Sequence, residues 1–114
     1  MNIIQTNREL SVAERYSMTR DAKIQRMRDA IGSRLEIDAV CLYEDEDKDG
    51  KTQEILSIKT TDGEIFATNS ATFIREFKAI ISLFEDCGEP LKAVTVISGV
   101  SKGGREFISV SNPE

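Results

Sequence analysis

Residues 70–86 constrain the fold most, because their apolar positions repeat with the period of an α-helix while the stretches on both sides repeat with the period of strands. These apolar positions are Phe73, Phe77, Ile80, Ile81 and Phe84. Asn69 or Ser70 can cap the start of the segment, and Gly88 followed by Pro90 ends it. The pattern predicts one amphipathic helix whose aromatic stripe packs in a core rather than around a ligand.

Three segments ahead of this helix alternate in the manner of β-strands, namely 35–43, 52–60 and 64–68. The first alternation places one set of side chains on a common face: Leu35, Ile37, Ala39, Cys41 and Tyr43. Residues 44–51 and the Asp62-Gly63 pair have the composition of tight turns, so we expect hairpins there.

Two more strands are expected after the helix, over 93–99 and 106–111, around a loop at 100–104. The spacing of Ile24, Met27, Ala30 and Ile31 predicts a short helix over 19–31. The chain is therefore expected to be mainly β, with one helix between strands three and four, preceded by an N-terminal arm or short helix. That order is the order of the OB-fold, a five-stranded, partly open barrel. A plain α+β sandwich with the helix on one sheet face is the competing architecture.

Length and composition narrow the function classes. A chain of 114 residues and 12.7 kDa suits a single domain, which we divide into an arm (1–18), one OB-like domain (19–111) and a short tail (112–114). With 0 histidines, zinc fingers and Ser-His-Asp or Cys-His chemistry are excluded. Cys41 and Cys87 have unrelated contexts, and both are expected to be buried small apolar residues. We expect the protein to have no enzymatic activity and to bind neither a cofactor nor a metal.

No apolar run approaches the roughly 18 residues that a membrane span requires, and the N-terminus lacks the pattern of a signal peptide. The expected location is therefore the cytoplasm, and no membrane partner is expected. Residues 45–50 match the first half of a calcium-binding loop, but Leu56 stands where that loop needs a bidentate glutamate. This segment is interpreted as a solvated hairpin tip.

The net charge of -5 is unevenly distributed. Residues 1–34 carry 7 basic against 4 acidic side chains, whereas residues 35–91 carry 5 against 14. The acidic balance argues against non-specific attraction to duplex DNA or anionic lipid. A local basic groove remains compatible with it, because salt screens charges beyond about 8–10 Å.

The final strand and the loop before it carry the first candidate site. If Ile108 and Val110 face the core, Arg105 and Phe107 stand together on the outer face, where an aromatic ring and a cation suit single-stranded nucleic acid. The preceding loop places Lys102 beside two glycines that allow close approach of a phosphate. A solvated arginine, a core Phe107 and a plain Gly-Gly hairpin are the alternatives at this position.

Further candidates are scattered along the chain, and a groove that follows a nucleic-acid strand would use several of them. They are Lys59, Tyr43, Phe66, Arg26, Arg28 and Arg34. Each could equally be a core or solvent-facing residue.

Three stretches carry a resemblance to a known family: residues 31–45, then Glu64-Ile65-Phe66-Ala67-Thr68-Asn69-Ser70, then 97–108 with Ser101-Lys102-Gly103-Gly104-Arg105. Over residues 16–111 the chain resembles the small single-stranded DNA-binding proteins of phages and mobile elements from Gram-positive hosts. The resemblance implies an OB-fold that coats single strands during replication or recombination, independently of sequence and without a cofactor. It implies binding roles for Lys102, Arg105 and Phe107. The long acidic tail with which bacterial single-strand binders recruit partners has no counterpart here, which leaves recruitment of replication or recombination proteins in doubt.

A second function stays open from the residues alone. The acidic middle, centred on residues 44–49, could make the chain a protein-interaction module, such as a phage factor that occupies a host protein. The edge strands of an open barrel would also allow a homodimer.

Overall fold

The computed structural model describes residues 1–111, which form a curled, mainly antiparallel sheet with two α-helices. The elements in chain order are β1 (Asn2–Thr6), α1 (Val12–Thr19), β2 (Gln25–Arg26), a 3₁₀ turn (Met27–Ala30), β3 (Arg34–Glu46), β4 (Thr52–Thr60), β5 (Ile65–Thr68), α2 (Ala71–Asp86), β6 (Ala93–Val100) and β7 (Glu106–Ser111). The mainly β character is confirmed. The count of five strands is not confirmed, since the described residues form seven strands. The three strands predicted before the central helix are β3, β4 and β5, and the short strands β1 and β2 make α2 follow the fifth strand instead of the third.

The predicted helix over 19–31 is wrong. The helix in this region is α1, and it begins earlier because Ser11 and Glu14 form a capping box in which each side chain bonds the backbone N–H of the other. The apolar spacing read as helical belongs instead to the 3₁₀ turn, whose Met27 and Ala30 are both buried. A spacing of three residues suits a 3₁₀ turn as well as an α-helix.

Residues 1–18, predicted as an N-terminal arm, contain β1 and α1. β1 pairs antiparallel with β3, and the segment that follows buries Leu10 and Met18 against the sheet. β1 and β2 are short and lack alternation, so their pairing depends on tertiary contacts that a local pattern does not reveal.

The strands follow the spatial order β2-β5-β4-β3-β6-β7, with β1 as an additional partner of β3. The long β3 is shared between neighbours: its start pairs with β6, and its remainder pairs with β4 on one edge and with β1 on the other. This sharing bends the sheet into a half-barrel. Within residues 1–111 the terminal strands β2 and β7 do not pair with each other, so the barrel has an open seam.

A β-bulge at Asp38 reverses the two faces of β3. On β3, Ile37 and Ala39 pair with the adjacent β4 residues Thr60 and Lys59, which leaves Asp38 as the extra residue. The prediction that Leu35, Ile37, Ala39, Cys41 and Tyr43 share one face is therefore wrong. The first two belong to the core under α2, and the last three belong to a second core under α1.

The main core is built on α2 as the aromatic pattern predicted. Phe73 and Phe77 are buried with ring centroids 6.2 Å apart, and they pack among Phe66, Ile108 and Val110. Cys41 is buried in the second core, as expected. The expectation for Cys87 is wrong: it is exposed, because it caps the C-terminal end of α2 outside the apolar face.

Candidate nucleic-acid interface

A cleft of about 690 Å³ occupies the open seam between β2 and β7. One wall is the β2–3₁₀ segment with Arg26 and Arg28, and the opposite wall is the start of β7 with Phe107. The floor is the sheet surface around Tyr43 and Ile55. The other lining residues are Thr19, Ile24, Met27, Gln53, Ala67, Thr68, Asn69, Ser70, Glu106 and Ile108.

Met27, the residue between the two arginines of the first wall, determines their position. Met27 is buried in the main core and fixes this segment to the sheet, which leaves Arg26 and Arg28 exposed on either side of it. Arg26 forms an ion pair with Asp29 at 3.2 Å, but its side chain stays 75% exposed. Arg28 has no ion pair within residues 1–111. Both guanidinium groups are therefore accessible to an anionic ligand.

The opposite wall follows the alternation of β7. Ile108 and Val110 are buried in the main core, so Phe107 projects from the other face and is only half-buried. Its cross-strand partner on β6 is Gly99. The sequence analysis expected Phe107 on the outer face of the sheet if Ile108 and Val110 face the core. Both residues are buried, and the Phe107 ring lies at the edge of a cleft rather than inside the core.

Tyr43 lies on the cleft floor, and its side chain is 3% exposed. Burial raises the pKa of its phenol to about 12, because the charged form would lose hydration. The hydroxyl is thus protonated over the physiological range and can donate a hydrogen bond. Tyr43 packs mainly in the second core and offers little ring surface for stacking.

Lys102 and Arg105 stand on the β6–β7 hairpin next to the cleft rather than in its lining. Gly104, with φ +80°, allows the tight turn in which its N–H donates to the Ser101 carbonyl at 2.9 Å. Both cations are exposed and without an ion pair in the part of the chain that the structure describes. Arg105 lies two residues before Phe107, so the hairpin continues the basic and aromatic character of the cleft wall.

The structure places three of the predicted site residues elsewhere. Lys59 is paired with Glu14 at 3.3 Å and Asp38 at 3.6 Å beside α1. Phe66 is buried in the main core, where no base could stack on it. Arg34 borders a separate, acidic cleft and pairs loosely with Glu36 at 3.8 Å.

Several cleft residues were missed from the sequence. Gln53 and Asn69 lie on two different segments and join their side-chain amides at 3.0 Å on the cleft surface. Nothing in the local pattern marks either residue, because only the pairing of β4 with β5 brings the segments together.

The acidic hairpin between β3 and β4 confirms the predicted turn, but the turn covers residues 47–51 only, because residues 44–46 continue β3 and pair with β4. One carboxylate oxygen of Asp47 accepts the N–H groups of Asp49 at 2.8 Å and Lys51 at 3.0 Å, and Gly50 adopts φ +80°. Asp47 thus serves the turn itself, as aspartates commonly do.

A curled β-sheet whose open seam presents arginines and a half-exposed aromatic ring is typical of proteins that bind single-stranded nucleic acid. The sequence pattern of the Phi29-type phage single-stranded DNA-binding protein family matches residues 11–112, and the chain belongs to this family. The match begins at Ser11, the N-cap of α1, and covers every element after β1. No curated protein and no solved structure matches the chain significantly. No helix among residues 1–111 is long and apolar enough to cross a membrane.

Proposed function

We propose that this protein binds single-stranded DNA in the seam cleft, independently of sequence and without a cofactor, during phage replication or recombination in the host cytoplasm. The observation that carries the proposal is the convergence of Arg26 and Arg28 with Phe107 across one cleft, although they lie about 80 positions apart in the chain. Membership in the phage family supports it independently.

The two walls of the cleft contact different parts of a nucleotide. The guanidinium groups of Arg26 and Arg28 pair with phosphates, and the ring of Phe107 stacks on a base. The Tyr43 hydroxyl, protonated at neutral pH, donates to a phosphate or base at the floor. Lys102 and Arg105 extend the cationic track beyond the cleft, along the hairpin.

The chemistry of the lining favours tolerance of sequence. A phenyl ring stacks on any base, and guanidinium–phosphate pairs carry no sequence information. The amides of Gln53 and Asn69 could read base edges, but the hydrogen bond that Asn69 Nδ2 donates to Gln53 Oε1 occupies one polar atom of each. A duplex keeps its bases stacked and paired and therefore gains nothing from the Phe107 ring.

The first experiment is a titration of the protein into a fluorescent oligothymidine of about 30 nucleotides, beside the matching duplex. We expect salt-sensitive binding to the single strand and much weaker binding to the duplex. An absence of single-strand binding even at low salt would overturn the proposal and make a protein partner for the acidic hairpin the leading alternative.

Variants then locate the interface. Phe107→Ala is expected to weaken single-strand binding roughly 5- to 150-fold, the range expected for one stacked base. The double variant Arg26→Ala/Arg28→Ala should weaken binding and flatten its salt dependence. Arg75→Ala, which removes an exposed arginine from α2, is the matched control and should bind as the parent does. If the cleft variants bind like this control, the DNA lies on another surface.

A further inference from the structure

Gly99 and Phe107 form a cross-strand pair in which the glycine leaves room for the ring. A Cβ at Gly99 would lie 2.5 Å from Cζ, 2.9 Å from Cε2 and 3.2 Å from Cε1 of Phe107. Real carbon contacts of this kind are not found below about 3 Å, since the wells of non-bonded carbons lie near 3.5–4.0 Å. The far end of the ring therefore occupies the space where any other residue would carry its side chain.

The glycine is not required by the backbone. Gly99 has no positive φ, unlike Gly104 in the same hairpin, and it lies inside a regular antiparallel ladder. Glycine inside a strand weakens it by loss of entropy and of packing, and it often marks a close approach of another group. Here the group that approaches is the ring of Phe107.

We infer that Gly99 is a positioning residue for single-strand binding, because its missing side chain leaves room for the end of the Phe107 ring over β6 at the edge of the cleft. This inference rests on the proposed function and adds to it the element that orients the stacking group. The end of the ring lies over Gly99, and the half-exposed ring is thereby held where an unstacked base can reach it. The ligand class is any base of a flexible single strand, purine or pyrimidine.

The geometry separates positioning from stability. In Gly99→Ala the atoms that must move are at the end of a side chain with two free torsions, so the ring can rotate away without disturbing the ladder. Alanine is also favoured over glycine by backbone entropy. We therefore expect Gly99→Ala to unfold at about the same urea concentration as the parent, yet to bind the oligothymidine at least about fivefold more weakly.

The test compares Gly99→Ala, Phe107→Ala and the double variant in the oligothymidine titration. Ser98→Thr is the control, because it adds one methyl group to the neighbouring residue, which points to the opposite face of β6. If Gly99 acts through the ring, the added alanine has no further effect once Phe107 is already replaced. An independent readout is the ring-current shift of the Gly99 Hα protons by NMR, present in the parent and lost in Phe107→Ala.

The outcomes are distinguishable. If Phe107→Ala binds as tightly as the parent, the ring is not a stacking group, and both this inference and the cleft assignment fail. If Phe107→Ala weakens binding but Gly99→Ala does not, or if the two effects add, the proposed function stands and the role of Gly99 is refuted. Unshifted Gly99 protons in the parent would likewise refute it, without any DNA.

Discussion

Two buried hydroxyl groups on β4 show how strongly the environment of a single residue decides its contribution. Ser57 is fully buried, and its Oγ has no hydrogen-bond partner among the described residues. Thr60, three positions further, is also buried, but its Oγ1 donates to the Asp62 carboxylate and accepts the Glu64 N–H at 3.1 Å. The hydrogen bond from Thr60, followed by the one that the Glu64 N–H donates to the same carboxylate, lowers the pKa of Asp62. Together these contacts close the β4–β5 turn. Burial costs both hydroxyl groups their hydrogen bonds to water. Thr60 replaces these bonds within the protein, whereas Ser57 does not.

The pair gives opposite predictions for stability. Ser57→Ala removes an unsatisfied buried group and should raise the free energy of unfolding by about 1 kcal/mol. Thr60→Val removes a satisfied hydroxyl and leaves the Glu64 N–H with only its longer hydrogen bond to the Asp62 carboxylate at 3.5 Å. It should lower the free energy of unfolding by about 1–2 kcal/mol. Urea unfolding followed by circular dichroism measures both. A loss of stability in Ser57→Ala would mean that its hydroxyl has a partner, such as a buried water.

At the scale of the elements, Glu14 joins α1 to the sheet. Its carboxylate completes the capping box and accepts hydrogen bonds from both terminal nitrogens of Arg8, at 3.1 and 2.6 Å. It also lies 3.3 Å from the Lys59 ammonium. The bulge turns Asp38 toward the same two cations. Lys59 thus belongs to a structural network, which explains why a lysine expected to bind nucleic acid is not in the cleft.

The hydrogen bonds from Arg8, followed by that from the Ser11 backbone, hold the pKa of Glu14 far below its usual 4.5. A lowered folded-state pKa contributes stability above the unfolded-state value, and this contribution is lost as the pH falls toward the folded-state value. Glu14→Gln keeps a capping-box residue but removes the charge. It should unfold at lower urea concentration than the parent at pH 7, and the difference should narrow as the pH falls below about 4.5.

Glu76→Gln is the control for this prediction, because Glu76 is an exposed helix glutamate paired only with its neighbour Arg75. It should match the parent in urea at every pH. If Glu14→Gln behaved in the same way, the network around Arg8 would contribute nothing to the attachment of α1.

The elements that the sequence predicted well are those with local causes. The Asp62-Gly63 turn has φ +90° at its glycine, and α2 has a capping serine and a regular apolar stripe. For α1 a local signal exists in the four-residue segment 11–14, where Ser11 and Glu14 have the spacing of a capping box, but the helix prediction followed the apolar spacing further along the chain. The bulge at Asp38 has no such signal, because it arises from pairing with β4.

The candidate site was predictable only as separate residues. Arg26, Arg28, Tyr43 and Phe107 were each proposed, but their convergence depends on the parallel pairing of the two-residue β2 with β5. Such a short strand cannot be detected by periodicity. In the sequence, Phe66 and Arg34 looked as suitable for binding as these four residues. The sheet places Phe66 in the main core and Arg34 beside a different cleft.

At the scale of the whole molecule, an acidic protein is proposed to bind a polyanion. The net charge is -5, yet the cleft and the adjoining hairpin present Arg26, Arg28, Lys102 and Arg105 together, with Glu106 as the acidic member of the lining. Because salt screens charges beyond about 8–10 Å, these local cations should govern contact with phosphates, while the acidic remainder opposes non-specific binding to duplexes.

This separation of local from total charge can be measured through the salt dependence of oligothymidine binding. Each phosphate contact on a single strand contributes about −0.7 to the slope of log K against log salt concentration, so four contacts give a slope near −3.

Lys102→Ala and Arg105→Ala should each reduce the magnitude of the slope by about 0.7. Lys92→Ala removes the same charge from an exposed position before the other end of β6, so it changes the net charge identically but should leave the slope unchanged. If all three variants shifted the slope equally, total charge rather than the cationic track beside Phe107 would control binding, and the hairpin would have no direct contact with the strand.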